Sequence, residues 1–174
     1  MEELRLRYNE EKASFQIANF LRRHLLPETV FLCIGTDRFI TDSLGPIVGN
    51  LISGSLPPIY YVYGTLKNPV HAINLEENLR YIKKKHPYSK IIAVDASLGE
   101  EENIGKISIK KSPIHPGKGV GKILPPVGDL SIVGIVDSFH AKDLNSIRLG
   151  FIYEIAETIA NGILIASYSK SLSF

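Results

Sequence analysis

Two acids stand where an α/β chain would carry chemistry. Asp42 lies in GTDRFITDSLGP, directly after the apolar run VFLCIG (30–35), and Asp95 ends the apolar run IIAVD. In open α/β sheets, ligands bind outside the carboxyl ends of the strands. Both acids are expected at that rim, with Asp37, Asp137 and His140 at or near it. Asp42 immediately precedes a helical pattern, so one reading makes it an N-cap whose backbone partners lower its pKa. Asp95 ends a strand expected to be covered on both faces, and a carboxylate there needs partners or a chemical task. Two carboxylates sharing one cleft cannot both ionise cheaply, so one pKa is expected to rise and the other to fall. The base could then activate water while the acid protonates a leaving amine, with Asp37 as a third acid.

The same acids with His140 could instead hold a divalent metal such as nickel or zinc. His115 sits in a Gly/Pro loop that could reach the cleft. His24, His71 and His86 fall in helices or at their ends and are set aside. Within that loop, PGKGVGK offers Lys118 and the backbone N–H groups of Gly117, Gly119 and Gly121 to a peptide carbonyl or an oxyanion. The Gly-x-Ser-x-Gly elbow, the His-Glu-x-x-His helix and the phosphate-binding P-loop are missing from the sequence. Cys33, the one cysteine, lies inside an apolar run and is expected to be too buried to act as a nucleophile.

The elements that must position these residues alternate along the chain. RLRYN (5–9) fits a short edge strand, and a helix follows to about Leu26 with Asn9 as cap and a Phe15, Ala18, Leu21, Leu25 stripe. Strand patterns cover 30–35, 60–64, 90–96 and 131–137. GKISIKK (105–111) alternates apolar and polar residues, as a half-exposed strand near an edge does. Helices are expected over 44–55, from about Val70 to Lys85 with Ile73, Leu75, Leu79 and Ile82 on one side, and from Asp143 or Asn145 to about Ile163. This order predicts a three-layer α/β/α sandwich around a mostly parallel sheet.

The 174 residues suit a single domain. Hydrophobic residues make up 44% and charged residues 22%, ordinary for a globular chain able to bury a core without staples. The net charge of +2 is spread along the sequence, and the lysine run at Lys83–Lys85 ends a helix, where the macrodipole favours cations. That argues against a nucleic-acid partner. No unbroken apolar run approaches a membrane span and the charged start is unlike a signal peptide, so the expected location is the cytoplasm.

CIGTDRFITDSLGP, VYGTLKNPVHAIN, AVDASLG and PGKGVGKILPPVGD, in this order, resemble the YyaC-type spore proteases, small relatives of the germination protease that degrades small acid-soluble spore proteins. The resemblance spans roughly residues 30–165 and extends to the hydrogenase maturation proteases. It implies a phosphorylase/hydrolase-like fold with a five-stranded mixed sheet ordered 2-1-3-5-4. It also implies that Asp42 and Asp95 match the acids proposed for catalysis. The activity implied is an atypical aspartic peptidase of sporulating cells, needing no cofactor and acting on a protein or peptide such as a small acid-soluble spore protein. The alternatives are a metal-assisted maturation-type protein and a peptide-binding relative without turnover.

Overall fold

The computed structural model describes residues 2–116, 124–141 and 147–172. Among them, β1 (Glu3–Arg7), β2 (Val30–Cys33), β3 (Tyr61–Tyr63), β4 (Ile91–Gly99), β5 (Lys106–Lys110) and β6 (Leu130–Ser138) form a mixed sheet ordered β1-β5-β6-β4-β2-β3. Strands β3, β2, β4 and β6 run parallel, while β5 and β1 are antiparallel to their neighbours. From β3 to β5 this is the expected order of five strands. The sixth is β1, which pairs with β5 and takes the edge, so β5 lies inside the sheet. Leu6 supplies the apolar anchor for that pairing, buried on the core side.

Side-chain alternation along β2 divides the core in two. Phe31 and Cys33 face α1 (Ala13–Arg22), α2 (Leu44–Ile52) and α4 (Leu149–Ser171) in the larger cluster. Val30, Leu32 and Ile34 face α3 (Leu75–Lys85) with Val70, Ala93 and Val127. Helices on both faces complete the three layers.

Three helix starts differ from the sequence reading, and α1, α2 and α4 end at Arg22, Ile52 and Ser171 where about 26, 55 and 163 are expected. Helix α1 starts at Ala13, after Lys12 in a left-handed conformation, because the Tyr8 N–H bonds the Gly105 carbonyl at 2.9 Å and the next residues form the turn. Its buried stripe is Ile17, Ala18 and Leu21, and Phe15 stands 60% exposed. Helix α3 begins at Leu75 instead of Val70, which leaves Ile73 in solvent and frees Val70 to bridge Ile34 in parallel register. Helix α4 begins at Leu149 after Arg148, and the proposed caps Asp143 and Asn145 lie outside the described residues.

The 23 residues of α4 are long and apolar enough to span a membrane by length and composition, a match the unbroken-run criterion missed because polar residues interrupt them. In this fold its Ile152, Ile155, Ala156, Ile159 and Ile163 stripe is core, packed against α1 and α2. Gly162 lies inside it, and a Cβ there would sit 2.5 Å from Ile17, so close packing of α1 on α4 selects the glycine.

Candidate acidic site at the sheet rim

The turn after β2 is held by backbone bonds. The Ile34 N–H donates to the Val94 carbonyl at 2.7 Å, the Gly35 N–H to Val70 at 2.8 Å and the Thr36 N–H to the Asp42 carbonyl at 2.9 Å. Gly35 has φ +136°, and a Cβ on it would lie 2.0 Å from the Asp42 carbonyl oxygen, so the chain can double back only with glycine there. A 3-10 turn over Ile40–Asp42 then packs against β4 and leads into α2. Small residues seat that helix: a Cβ on Gly45 would lie 2.0 Å from the Ile34 carbonyl oxygen, and one on Gly49 1.9 Å from that of Gly64.

Asp42 is therefore fixed by the fold, but not as a helix cap. Ser43 holds the N-cap position and makes no side-chain capping bond. Instead of falling, the Asp42 pKa is pushed up to about 6, chiefly by burial, with the Thr36 backbone N–H and the charge of His71 opposing. Asp95 does not end its strand as expected, because pairing with β6 carries β4 on to Gly99; it lies within β4 on the face of Ala93, and its Oδ1 accepts the Ala96 N–H at 2.8 Å. Burial and then the negative charge of Asp42 raise its pKa well above the usual carboxylate range. Both acids are thus shifted in the same direction, against the expectation of one rise and one fall, because desolvation acts on each of them.

The other expected site residues are placed differently. Asp37 is exposed and lines an apolar groove of about 270 Å³ beside Ile40, Ile47, Leu51, Leu149 and Tyr153. Asp137 is 4% exposed near the end of β6; its Oδ1 accepts the Ser138 N–H at 2.7 Å, and its Oδ2 is buried without a partner among the described residues. His140 is exposed, its backbone N–H on the Ser138 hydroxyl. No three His, Cys, Asp or Glu side chains gather to hold a metal among the described residues, so Asp42, Asp95 and His140 do not form the metal-binding group considered from the sequence. His115 is exposed, and Gly117, Lys118, Gly119 and Gly121 lie outside the described residues. The flanks of that loop are joined by a bridge between Ile114 and Val127 and pack on the α3-side cluster, the sheet face that carries Asp95. Cys33 is free and fully buried, and burial raises its thiol pKa, which removes it as a nucleophile.

The sequence matches the family described as "Protein of unknown function (DUF1256)" over residues 5–162. It is also 40% identical over 157 residues to the uncharacterized protein YyaC of Bacillus subtilis (strain 168), covering 88% of this chain and 77% of that protein. The chain belongs to the DUF1256 family. Among solved structures, the [NiFe] hydrogenase maturation protease HycI from Thermococcus kodakarensis KOD1 aligns over 79% of this chain and 92% of its own, with 18% identity and a TM-score of 0.44.

In this DUF1256 member the sequence reading missed His71. It was set aside as a helix residue, whereas it lies in the turn before α3, close enough to Asp42 to lower its pKa. The signal available was its place in YGTLKNPVHAIN, right after the buried Val70 in the connection between β3 and α3.

The raised carboxyl pKa values carry a stability prediction. A carboxyl group that binds its proton more tightly when folded stabilises the fold fully below the unfolded pKa, and that contribution is lost as pH rises through the folded value. For Asp42 the window runs from about pH 4 to about pH 6. Asp42→Asn should abolish this part of the slope and be more stable than wild type at pH 7, by roughly 1–2 kcal/mol after allowance for the partial solvent access of the carboxyl. Urea midpoints of both proteins at pH 4.5 and 7.5 check it; parallel changes in the two would contradict a desolvated Asp42.

Proposed function

We propose that this DUF1256 chain is a peptidase in which Asp42 and Asp95 form an acid/base pair that activates water on a peptide bond. The observation that carries the reading is the placement of two carboxyl groups beside the end of β2: Asp42 in the 3-10 turn that packs against β4, and Asp95 in β4 directly after Val94, the partner of Cys33, where the charge of Asp42 acts on it. At neutral pH Asp42, with a pKa of about 6, is mostly the carboxylate and serves as the base, and Asp95, whose pKa burial and the charge of Asp42 push well above the usual carboxylate range, is assigned the acid. The Asp42 carboxylate takes a proton from water as the water oxygen bonds to the peptide carbonyl carbon. Asp95 gives its proton to the amide nitrogen as the C–N bond breaks, releasing an acid and an amine. Proton transfer from Asp42 to Asp95, directly or through water, restores the starting state.

The resemblance of CIGTDRFITDSLGP and AVDASLG to the germination protease family favours small acid-soluble spore proteins as the proposed substrate class, and the reduced, buried Cys33 suits the interior of a cell. The test is incubation of the pure chain with those proteins, with and without a chelator, and mass spectrometry of the products. Discrete fragments unaffected by chelator are expected. Intact substrate under all conditions would overturn the peptidase reading, and fragments that vanish with chelator would overturn the two-carboxylate mechanism.

A further inference from the structure

We infer that His71 is a positioning residue of the acidic site, held beside the turn that carries Asp42, the base of the proposed pair. The inference deepens the peptidase reading and rests on it for the catalytic role, though not for the placement of the histidine. Three connections bring groups to one place: the β2–α2 turn brings Asp42, β4 brings Asp95, and the segment between β3 and α3 brings His71. The Val70–Ile34 bridge and the Gly35 N–H bond to the Val70 carbonyl at 2.8 Å pin residue 70 beside the end of β2. Residue 71 is therefore held next to the turn that carries Asp42. Val70 and Ala93 share one cluster, so Asp95, two residues after Ala93, continues the same sheet face.

The backbone and ring of His71 are both braced. Its N–H donates to Asn74 Oδ1 at 2.9 Å, and Asn74 Nδ2 donates to the Pro69 carbonyl at 3.0 Å. The Ile73 N–H donates to His71 Nδ1 at 3.3 Å. That nitrogen therefore keeps its lone pair, and the proton of the neutral ring is on Nε2. Placed beside that turn, the ring's charge opposes the upward push of burial on Asp42 and favours its carboxylate. The charge acting on Asp42 is that of His71, and Asp42 in turn acts on Asp95; Asp37 and Arg38 on the same turn, and Lys67 in the β3–α3 connection, are exposed to solvent.

The experiment is carbon NMR titration of the Asp42 carboxyl, which needs no substrate, in wild type, His71→Phe, His71→Gln and Lys67→Ala. His71→Phe should move the Asp42 midpoint upward by about half a pH unit or more. His71→Gln should move it the same way, and it carries the test if the phenylalanine variant does not fold. Lys67→Ala should leave the midpoint in place. In a cleavage assay, the acid limb of kcat/KM should move with the midpoint. An unmoved midpoint in folded His71 variants overturns the inference whether or not the chain cleaves anything. A moved midpoint in a chain that cleaves nothing supports the placement of His71 and overturns the peptidase reading instead.

Discussion

Asp42→Asn and Asp95→Asn are each expected to slow peptide cleavage by about 10²–10⁴-fold, the usual contribution of a positioned acid or base. Neither change should unfold the chain. Asparagine matches the size of aspartate, and its side-chain carbonyl at position 95 can still accept the Ala96 N–H that now bonds Oδ1. The desolvation that raises both carboxyl pKa values is a cost the neutral amide avoids. The variants should therefore melt at or above the wild-type temperature while losing turnover, a combination that separates a chemical role from a structural one. The double variant should cost little more than either single one, since acid and base serve the same step. Full cleavage by either folded variant would refute the acid/base assignment. Cleavage retained by Asp42→Asn alone would show that another group, on or outside the described residues, takes the proton from water.

The strands of the parallel core were legible because each is a short apolar run, and VFLC and IIAV are buried on both faces as such runs require. The acids were legible because a carboxylate that stops an apolar run stands out against its neighbours, although β4 continues past Asp95 to Gly99 and Asp42 lies in the 3-10 turn beyond β2. Helix faces were less so. Phe15 fits the helical spacing of α1 yet points to solvent, since the start of the helix is set by the Tyr8–Gly105 bond, a contact made across almost a hundred residues. His71 was hidden by the same kind of effect. The apolar residues Val70, Ile73 and Leu75 suggested a helix from residue 70, but pairing of Val70 with Ile34 claims the first of them for the sheet and postpones the helix to Leu75. Asp37 shows the limit of composition: an acid in the right loop, it turns to an exposed position against an apolar groove while Asp42, five residues later, meets Asp95.

Gly45→Ala should cost about 3 kcal/mol or more of stability, from the forcing of atoms into a packed interior. The added methyl would lie 2.0 Å from the Ile34 carbonyl oxygen and 2.8 Å from the Ile34 nitrogen, and these backbone atoms, tied to Val94 and Val70 directly after β2, cannot rotate aside as a side chain would. Gly49→Ala meets the Gly64 carbonyl oxygen at 1.9 Å one helical turn later and should behave alike. Gly150→Ala is the control: it also lies in a helix, its methyl would touch nothing within 4 Å, and the gain in helix propensity should stabilise it by up to about 1 kcal/mol. The contrast, read from urea midpoints, isolates the contact between α2 and the β2 and β3 ends from the propensity effect common to the helical positions. The consequence reaches the site, because displacing α2 from β2 displaces the turn that carries Asp42 away from β4. Any folded fraction of Gly45→Ala should lose cleavage as well as stability and should show a lower Asp95 pKa, as the negative neighbour withdraws and water enters. A Gly45→Ala protein with the midpoint of wild type would mean that α2 does not rest on β2 as described, and the meeting of Asp42 with Asp95 would fail with it.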